Sequence, residues 1–230
     1  KIASIVNVVG SSIDRESDVS LYLNCGPEIA VASTKAFSAQ LSVFYLLAYA
    51  LSGKPDEGVQ HLRSVSELLP TYLERWQVQT KALAQRLAAS DHVYYLARGV
   101  GFPIALEGAL KMKEISYAHA EGMPAGELKH GALALITEGT PVVLINPNDY
   151  TFSDTLSNGL ETRARGARLI GISDVNNEAY DDWIPLPKTD PLFFPFLANF
   201  PLQLLAYHAS VLRGNDPDKP RNLAKSVTVR

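Results

Sequence analysis

The stretch Ile104–Gly131, IALEGALKMKEISYAHAEGMPAGELKHG, decides the fold and carries most of the candidate chemistry. Its first half is rich in Ala, Leu, Met, Lys and Glu, which favours a helix. On a helix Glu107, Lys111 and Glu114 share one face. A carboxylate and an ammonium held together there could move a proton between carbon atoms. The same spacing is also common in surface ion pairs that do no chemistry, so both interpretations stay open.

Strands and helices alternate on both sides of this stretch. Runs rich in β-branched residues between turn residues predict strands at Ile2–Val9, Val19–Leu23, His92–Leu96, Pro141–Asn146, Ala167–Ile172 and Asp182–Leu186. Helical spacing of apolar residues predicts helices at Lys35–Leu51, Asp56–Leu69, Thr71–Ala89, Tyr150–Arg165 and Leu192–Leu212. This alternation predicts an α/β fold of three layers, with helices on both faces of parallel sheets.

Apolar composition also predicts which elements are buried. Ile2–Val9 is rich in β-branched residues and has no helical period, as in strands buried on both faces. The helix Lys35–Leu51 is apolar nearly all round, so we expect burial on more than one side. Ser33 and Thr34 are candidates to cap its start, and Gly53 closes it. Trp76 lies on an apolar stripe and is expected in the core.

The chain is expected to have two unequal halves. Residues 1–72 form the C-terminal part of a first subdomain, 73–89 a connecting helix, 90–213 a second subdomain and 214–230 a tail that closes over the site. The first half has only two strands, too few to cover strands buried on both faces. We therefore expect the first subdomain to be incomplete and to begin upstream of Lys1.

Composition narrows the function classes. The chain has 230 residues, a net charge of −3 and no basic stripe, so nucleic acid is not an expected partner. The single cysteine, Cys25, allows no internal disulfide, and a cytoplasmic protein is expected. The longest apolar run, Val43–Leu51, is far shorter than a membrane span. His119-Ala120-Glu121 lacks the pattern of a metal site, so no metal is expected.

The last segment, Asn215–Arg230, is polar and has two interpretations. Its composition is typical of a frayed terminus. Alternatively, it folds back and delivers the amine of Lys225, which could form a Schiff base with a carbonyl. Together with a carboxylate at Glu114 and a histidine at His130, this would supply the groups for ketose–aldose interconversion.

Three motifs resemble one family: VASTKA at Val31–Ala36, EGALKMKEISY at Glu107–Tyr117 with AGELKHG at Ala125–Gly131, and PRNLAKSVTV at Pro220–Val229. Together they resemble the isomerase part of the glutamine:fructose-6-phosphate amidotransferases, also called glucosamine-6-phosphate synthases. The resemblance runs from end to end. It implies two sugar-isomerase (SIS) subdomains, and conversion of fructose 6-phosphate and ammonia into glucosamine 6-phosphate. In that family, a separate N-terminal domain supplies the ammonia from glutamine.

The resemblance also implies catalytic roles for four residues. Glu114 matches the general base that moves a proton between C1 and C2, and Lys225 the lysine that forms the Schiff base. His130 matches the histidine that opens the sugar ring and that reaches into the neighbouring subunit's site. Lys111 matches a lysine near the substrate hydroxyls and Glu114. The family is homodimeric or higher, and the resemblance brings in no cofactor.

Substrate contacts are implied for Val31, Ser33 and Ala224, partly through backbone groups. The family's glutaminase domain and phosphate-gripping loops have no counterpart in this sequence, so we expect this chain alone to bind sugar phosphate poorly. Two further functions remain open. One is a free-standing SIS-type fructosamine-phosphate deglycase or isomerase, and the other is a regulatory module that binds a phosphosugar without turnover.

Overall fold

A computed structural model of the chain describes residues 1–225, and it contains two parallel sheets. The first pairs β1 (Ala3–Val6) with β2 (Val19–Tyr22). The second has the order β4-β3-β5-β6-β7, and all its neighbouring strands are parallel. Its strands are β3 (His92–Ala97), β4 (His119–Pro124), β5 (Pro141–Ile145), β6 (Arg168–Ser173) and β7 (Asp182–Pro185). The predicted α/β class with parallel sheets is confirmed.

Six α-helices accompany these strands in the described part of the chain, and the last of them follows β7. They are α1 (Ser12–Arg15), α2 (Lys35–Leu51), α3 (Pro55–Ala89), α4 (Gly101–Ser116), α5 (Phe152–Arg163) and α6 (Phe194–Leu212). Short 3-10 helices occur at Ala125–His130, Ala132–Leu135 and Pro191–Phe193. No helix among residues 1–225 is both long enough and apolar enough to cross a membrane.

The five-stranded sheet is the middle layer of three. In β3, Val93, Tyr95 and Ala97 face one core, which is formed with α3, α4 and α6. Tyr94 and Leu96 point the other way, into a second core with α5 and the 3-10 helices. Because successive side chains of a strand point to opposite faces, a continuously apolar strand serves both cores.

Two local predictions are confirmed. Helix α2 has the bounds Lys35–Leu51 that the sequence predicts, and Gly53 follows it with φ +78°. This left-handed conformation suits glycine, which has no Cβ to clash. Trp76 is fully buried, and its Nε1 donates a hydrogen bond to the Pro185 carbonyl oxygen at 2.8 Å.

The first strand is not buried on both faces in the described structure, which agrees with the expectation that two strands are too few to cover it. Val8 and Val9 are 64% and 72% exposed, and they lie beyond the end of β1. Strand β1 pairs only with β2, so both strands of this sheet have an open edge. Apart from β2, the main neighbour of β1 is the short helix α1, so the faces of this sheet are largely uncovered.

The predicted burial of α2 on more than one side is wrong, because none of its residues is buried. The helix packs on α3 and α6 through Phe37, Leu41, Tyr45 and Tyr49. These residues are spaced by four and therefore form a single face. Phe44, on another face, is 58% exposed. The number of buried faces of a helix therefore cannot be predicted from apolar residues on all its sides.

Where the sequence predicts two helices, Asp56–Leu69 and Thr71–Ala89, the structure has the single helix α3 with Pro70 inside it. Proline removes one hydrogen bond from a helix interior. Residues on both sides of Pro70, including Val65 and Trp76, pack into one core. This shared packing explains why the helix continues through the proline.

Strand β4, His119–Pro124, was not predicted from the sequence. It is an edge strand, where proline at the end of a run is tolerated. Gly122 lies against the backbone of α4, and a Cβ added there would be 2.8 Å from the Ala105 carbonyl oxygen. The glycine that looks like a break in the sequence therefore allows β4 to approach α4 closely.

Candidate active site

Helix α4 places the predicted charged residues on one face. The Nζ of Lys111 lies 2.6 Å from Oε2 of Glu114 and 3.5 Å from Oε1 of Glu107. Only 4% of the Lys111 side chain is exposed, against 12% for Glu107 and 23% for Glu114. The surface-pair interpretation therefore does not hold for Lys111. Its ammonium is buried, and burying a charge requires partners of opposite sign.

The two carboxylates beside Lys111, those of Glu107 and Glu114, lie in different environments. Burial raises the pKa of Glu107, Lys111 opposes that shift, and the nearby charge of Glu114 adds to it. Glu114 is the more exposed of the two and has the shorter contact with the lysine. A partly accessible carboxylate held by a fixed ammonium is suited to exchange protons with a ligand.

The end of α4 is also where the tail docks. Tyr117 follows the helix directly and has a left-handed backbone, φ 62°. Its hydroxyl accepts a hydrogen bond from the backbone N–H of Arg221 at 2.8 Å. The Arg221 guanidinium lies 4.3 Å from the centre of the Tyr117 ring. Asn215 also donates from its side chain to the carbonyl oxygens of Ile115 and Ser116. The tail is therefore attached to the element that carries Glu114.

The tail also contacts the segment before α2. The Val31 N–H donates to the Asp218 carbonyl oxygen at 3.1 Å, and Pro220 is buried. The interpretation of a frayed terminus is wrong for residues 215–225, and the fold-back interpretation agrees with these contacts. Residues 226–229, the last part of the PRNLAKSVTV motif, lie outside the described residues.

The amine of Lys225 lies on this same segment. Its Nζ donates to Oε2 of Glu28 at 2.8 Å and to the Val31 carbonyl oxygen at 3.5 Å. Only 7% of the Glu28 side chain is exposed, whereas Lys225 is 41% exposed. The other oxygen of Glu28 accepts from the N–H groups of Thr34 at 2.8 Å and Ala36 at 3.3 Å, at the start of α2.

These contacts set the charge of Glu28. Burial alone would raise its pKa, but the hydrogen bonds from Lys225, Thr34 and Ala36 outweigh burial and lower the pKa to about 2. The group is therefore a carboxylate at any pH near neutral. Ser33 and Thr34, the predicted caps of α2, form no side-chain hydrogen bond that caps it, and the Glu28 side chain accepts in their place.

Sequence reasoning did not single out Glu28, the partner of Lys225. It lies in the turn Cys25-Gly26-Pro27-Glu28, just before the VASTKA motif. An acid close to the start of a predicted helix is a recognisable signal, because carboxylates stabilise helix N-termini. Its contact with Lys225 is not readable in this way, since 197 positions separate the two residues.

The predicted site residues fall into two groups. Glu114 and Lys111 form one on α4, and Lys225 and Val31 form the other beside Glu28. Ala224 is the exposed neighbour of Lys225, and Ser33 is half-buried between Val31 and α2. The Tyr117–Arg221 contact connects the two groups.

His130 belongs to neither group in this single chain. It is exposed at the end of the 3-10 helix Ala125–His130. Within residues 1–225 it has no hydrogen bond or ion pair with Glu114, Lys111 or Lys225.

The second sheet, with its order β4-β3-β5-β6-β7 and helices on both faces, defines a doubly wound α/β protein. The particular family follows from comparison with family models. Residues 1–50 and 86–213 match the SIS domain, and the chain belongs to the SIS domain family.

Curated relatives cover the whole chain. It is 48% identical over 239 residues to a glutamine–fructose-6-phosphate aminotransferase [isomerizing] of Thermococcus kodakarensis. It is also 48% identical over 242 residues to the protein of the same name in Agrobacterium fabrum. All of this chain is aligned in both cases, but it spans only about 40% of the length of each relative.

Solved structures agree with this family. The C-terminal domain of glucosamine-fructose-6-phosphate aminotransferase from Francisella tularensis superposes with a TM-score of 0.84 at 37% identity, covering 95% of this chain and 64% of that one. Glucosamine-6-phosphate deaminase from Thermotoga maritima superposes with a TM-score of 0.80 at 26% identity, covering 98% of this chain and 66% of that one.

Proposed function

We propose that this chain is the isomerase part of an enzyme that makes glucosamine 6-phosphate from fructose 6-phosphate and glutamine-derived ammonia. The identity of 48% to named aminotransferases supports this assignment. The structural observation that carries it is the position of Lys225. Its amine lies 3.5 Å from the carbonyl oxygen of Val31, in the VASTKA segment, on a tail attached to the helix of Glu114.

In the proposed reaction, His130 helps to open the sugar ring and expose the C2 carbonyl. The neutral amine of Lys225 attacks that carbon, and loss of water gives a Schiff base. Ammonia then replaces the lysine at C2. Glu114 takes a proton from C1 and a proton is returned to C2, which leaves an aldehyde at C1 and an amine at C2. Lys111 holds the Glu114 carboxylate, and Val31, Ser33 and Ala224 contact the sugar.

We further propose a cytoplasmic homodimer in which each His130 reaches the neighbouring subunit's site. The exposed position of His130, away from Glu114 and Lys225, supports this arrangement. The upstream part of the enzyme would carry the glutaminase. The division into residues 1–72, 73–89, 90–213 and 214–230 belongs to the same proposal. Helix α3, which runs unbroken from Pro55 to Ala89, contains the connecting segment.

Two substitutions in the complete protein test this function. Glu114→Gln should lower the rate of glucosamine 6-phosphate formation by about 100-fold or more, because a general base typically contributes that much. Fructose 6-phosphate should still raise the melting temperature of this variant, as binding to the folded state requires. Full activity in Glu114→Gln would remove Glu114 from the role of base.

Lys225→Ala should abolish the adduct that borohydride traps between the sugar and the protein. Lys54→Ala is the matched control, because Lys54 is an exposed lysine paired with Glu57 at the far end of α2. An adduct on a lysine other than Lys225 would contradict the Schiff-base assignment.

A second candidate is an isomerase or deglycase that acts on amino-sugar phosphates without a glutaminase. The structural likeness to the Thermotoga maritima deaminase favours it. Assays in both directions separate the two candidates. The first predicts ammonia incorporation into fructose 6-phosphate coupled to glutamine hydrolysis, and the second predicts ammonia release with no response to glutamine.

A further inference from the structure

Both oxygens of the Glu28 carboxylate are in use. Oε1 accepts from two backbone N–H groups, those of Thr34 and Ala36, which fixes the carboxylate against the start of α2. Oε2 accepts from the ammonium of Lys225 at 2.8 Å. Only 7% of the Glu28 side chain is exposed, so the carboxylate has little freedom to move. It is a fixed anion beside a flexible lysine.

The segment that Glu28 anchors is also the one that carries the proposed sugar contacts. Val31 and Ser33 lie between Glu28 and the first residue of α2. Val31 contacts the tail twice, through its N–H to the Asp218 carbonyl oxygen and through its own carbonyl oxygen to Nζ of Lys225. The amine and the sugar-binding backbone therefore share one support.

We propose that Glu28 is the positioning residue for the amine of Lys225, a role that rests on the proposed function of Lys225 in Schiff-base formation. A lysine side chain has four rotatable bonds, and the rotamer freedom it loses on being held in one geometry opposes reaction. Because the fixed carboxylate already holds the lysine in one geometry before the sugar binds, this loss of rotamer freedom does not have to occur during the reaction. Positioning of this kind is worth large factors in rate.

The charge of Glu28 serves the bond-forming step as well. The ammonium gives one proton to water, and the neutral amine attacks the C2 carbonyl to form a carbinolamine. The carbinolamine takes a proton back from water as its hydroxyl leaves as water, which gives a protonated Schiff base. Nζ is thus positively charged before the reaction and again in the iminium product. Glu28 faces that nitrogen as a carboxylate, so it stabilises the iminium without taking a proton itself.

The test compares Glu28→Gln, Glu28→Asp and wild type in the complete protein. The amide oxygen of glutamine can still accept from Thr34 and Ala36, so the capping contacts remain while the charge is lost. Aspartate keeps the charge but is one methylene shorter. We expect borohydride trapping of fructose 6-phosphate on Lys225, at saturating sugar, to fall at least tenfold in the Gln variant and about threefold in the Asp variant. The sugar concentration for half-saturation should change less than threefold.

Glu57→Gln is the matched control, because it removes a carboxylate from an exposed ion pair on the same part of the chain. It should trap at the wild-type rate. Partial rescue by aspartate separates positioning from simple helix capping, since a cap would be served by glutamine at least as well as by aspartate. If Glu28→Gln does not fold, the threefold loss in Glu28→Asp is the deciding measurement.

The outcomes distinguish this inference from the function on which it rests. Trapping on Lys225 at the wild-type rate in both Glu28 variants, or a faster rate in Gln than in Asp, overturns the positioning role and leaves the Schiff base intact. No adduct on Lys225 in the wild-type protein overturns the proposed function itself.

Discussion

Lys111 Nζ and Glu114 Oε2 lie 2.6 Å apart on one face of α4, and 4% of the lysine side chain is exposed. Lys54 and Glu57 have the same i,i+3 spacing at 3.0 Å, but their side chains are 60% and 42% exposed. The chain therefore contains two ion pairs of nearly equal geometry in opposite environments. Their comparison separates the effect of burial from that of distance.

Replacing Lys111 by methionine should lower the free energy of unfolding by about 3–5 kcal/mol, because it leaves Glu107 and Glu114 partly buried without their cation. Lys54→Met should cost less than about 1 kcal/mol, as expected for an exposed pair. Urea unfolding followed by circular dichroism measures both. Equal losses in the two variants would mean that the buried lysine is not needed to compensate the carboxylates.

Glu28 should make the protein sensitive to acid. Its pKa is about 2 in the folded chain against the usual 4.5, so the stabilisation is fully present above pH 4.5 and is lost as the pH falls towards 2. Glu28→Gln should therefore have a lower free energy of unfolding than wild type near pH 7, by at most about 3 kcal/mol. Solvent screening of the half-exposed Lys225 reduces this difference. The difference should disappear near pH 2.

The matched variant for this pH series is Glu57→Gln. Thermal or urea unfolding at several pH values should give it a curve nearly parallel to wild type, because its pair is exposed. A constant difference between Glu28→Gln and wild type from neutral pH to pH 2 would show that Glu28 is not held as described.

Tyr117 should control how firmly the tail docks. Tyr117→Phe keeps the ring beneath the Arg221 guanidinium but removes the hydroxyl that accepts from the Arg221 N–H. Loss of one such hydrogen bond is worth about 1 kcal/mol, so tryptic cleavage after Arg221 and Lys225 should be about fivefold faster. Tyr207→Phe, on the exposed side of α6, is the control and should be cleaved like wild type. Equal rates in both variants would argue against docking through the hydroxyl.

Gly122 should be intolerant of a methyl group. A Cβ at this position would lie 2.8 Å from the Ala105 carbonyl oxygen and 2.9 Å from Leu106 Cα, both of them backbone atoms of α4. Gly122→Ala should therefore lower the free energy of unfolding by about 1–3 kcal/mol, as overpacking does. Calorimetry gives the change in melting temperature.

Gly126→Ala is a close control for this substitution. Its Cβ would meet the end of the Arg98 side chain at 3.0 Å, and that side chain can move aside. A melting temperature that falls as far in Gly126→Ala as in Gly122→Ala would contradict the close approach of β4 to α4.

Local sequence signals predicted much of the fold. The bounds of α2 follow from its composition and from Gly53, and the core position of Trp76 follows from an apolar stripe. Such signals lie within a few residues of the feature they predict. Strand β4 was not predicted because Gly122 and Pro124 weaken the sequence pattern of a strand. In the folded chain, packing against α4 stabilises the strand nevertheless.

The sequence predicted candidate site residues, but not which of them the fold brings together. The spacing of Lys111 and Glu114 predicted their contact, yet only the folded structure shows that Lys111 is buried. The partnership of Glu28 with Lys225 joins residues 197 positions apart and leaves no periodic trace. Likewise, the exposure of Val8 and Phe44 depends on which elements are present to cover them, which the apolar pattern does not contain.

Pro70 interrupts the backbone hydrogen bonding of α3 without ending the helix. Its missing N–H leaves the Ser66 carbonyl oxygen without the usual helical donor, so this turn has one helical hydrogen bond fewer than its neighbours. On the N-terminal side of Pro70, Gly58 and His61 pack against Tyr49 of α2. On the C-terminal side, Trp76 donates a hydrogen bond to Pro185 of β7. The two halves of α3 are therefore held in place across Pro70 by what each of them packs against, as well as by the helix itself.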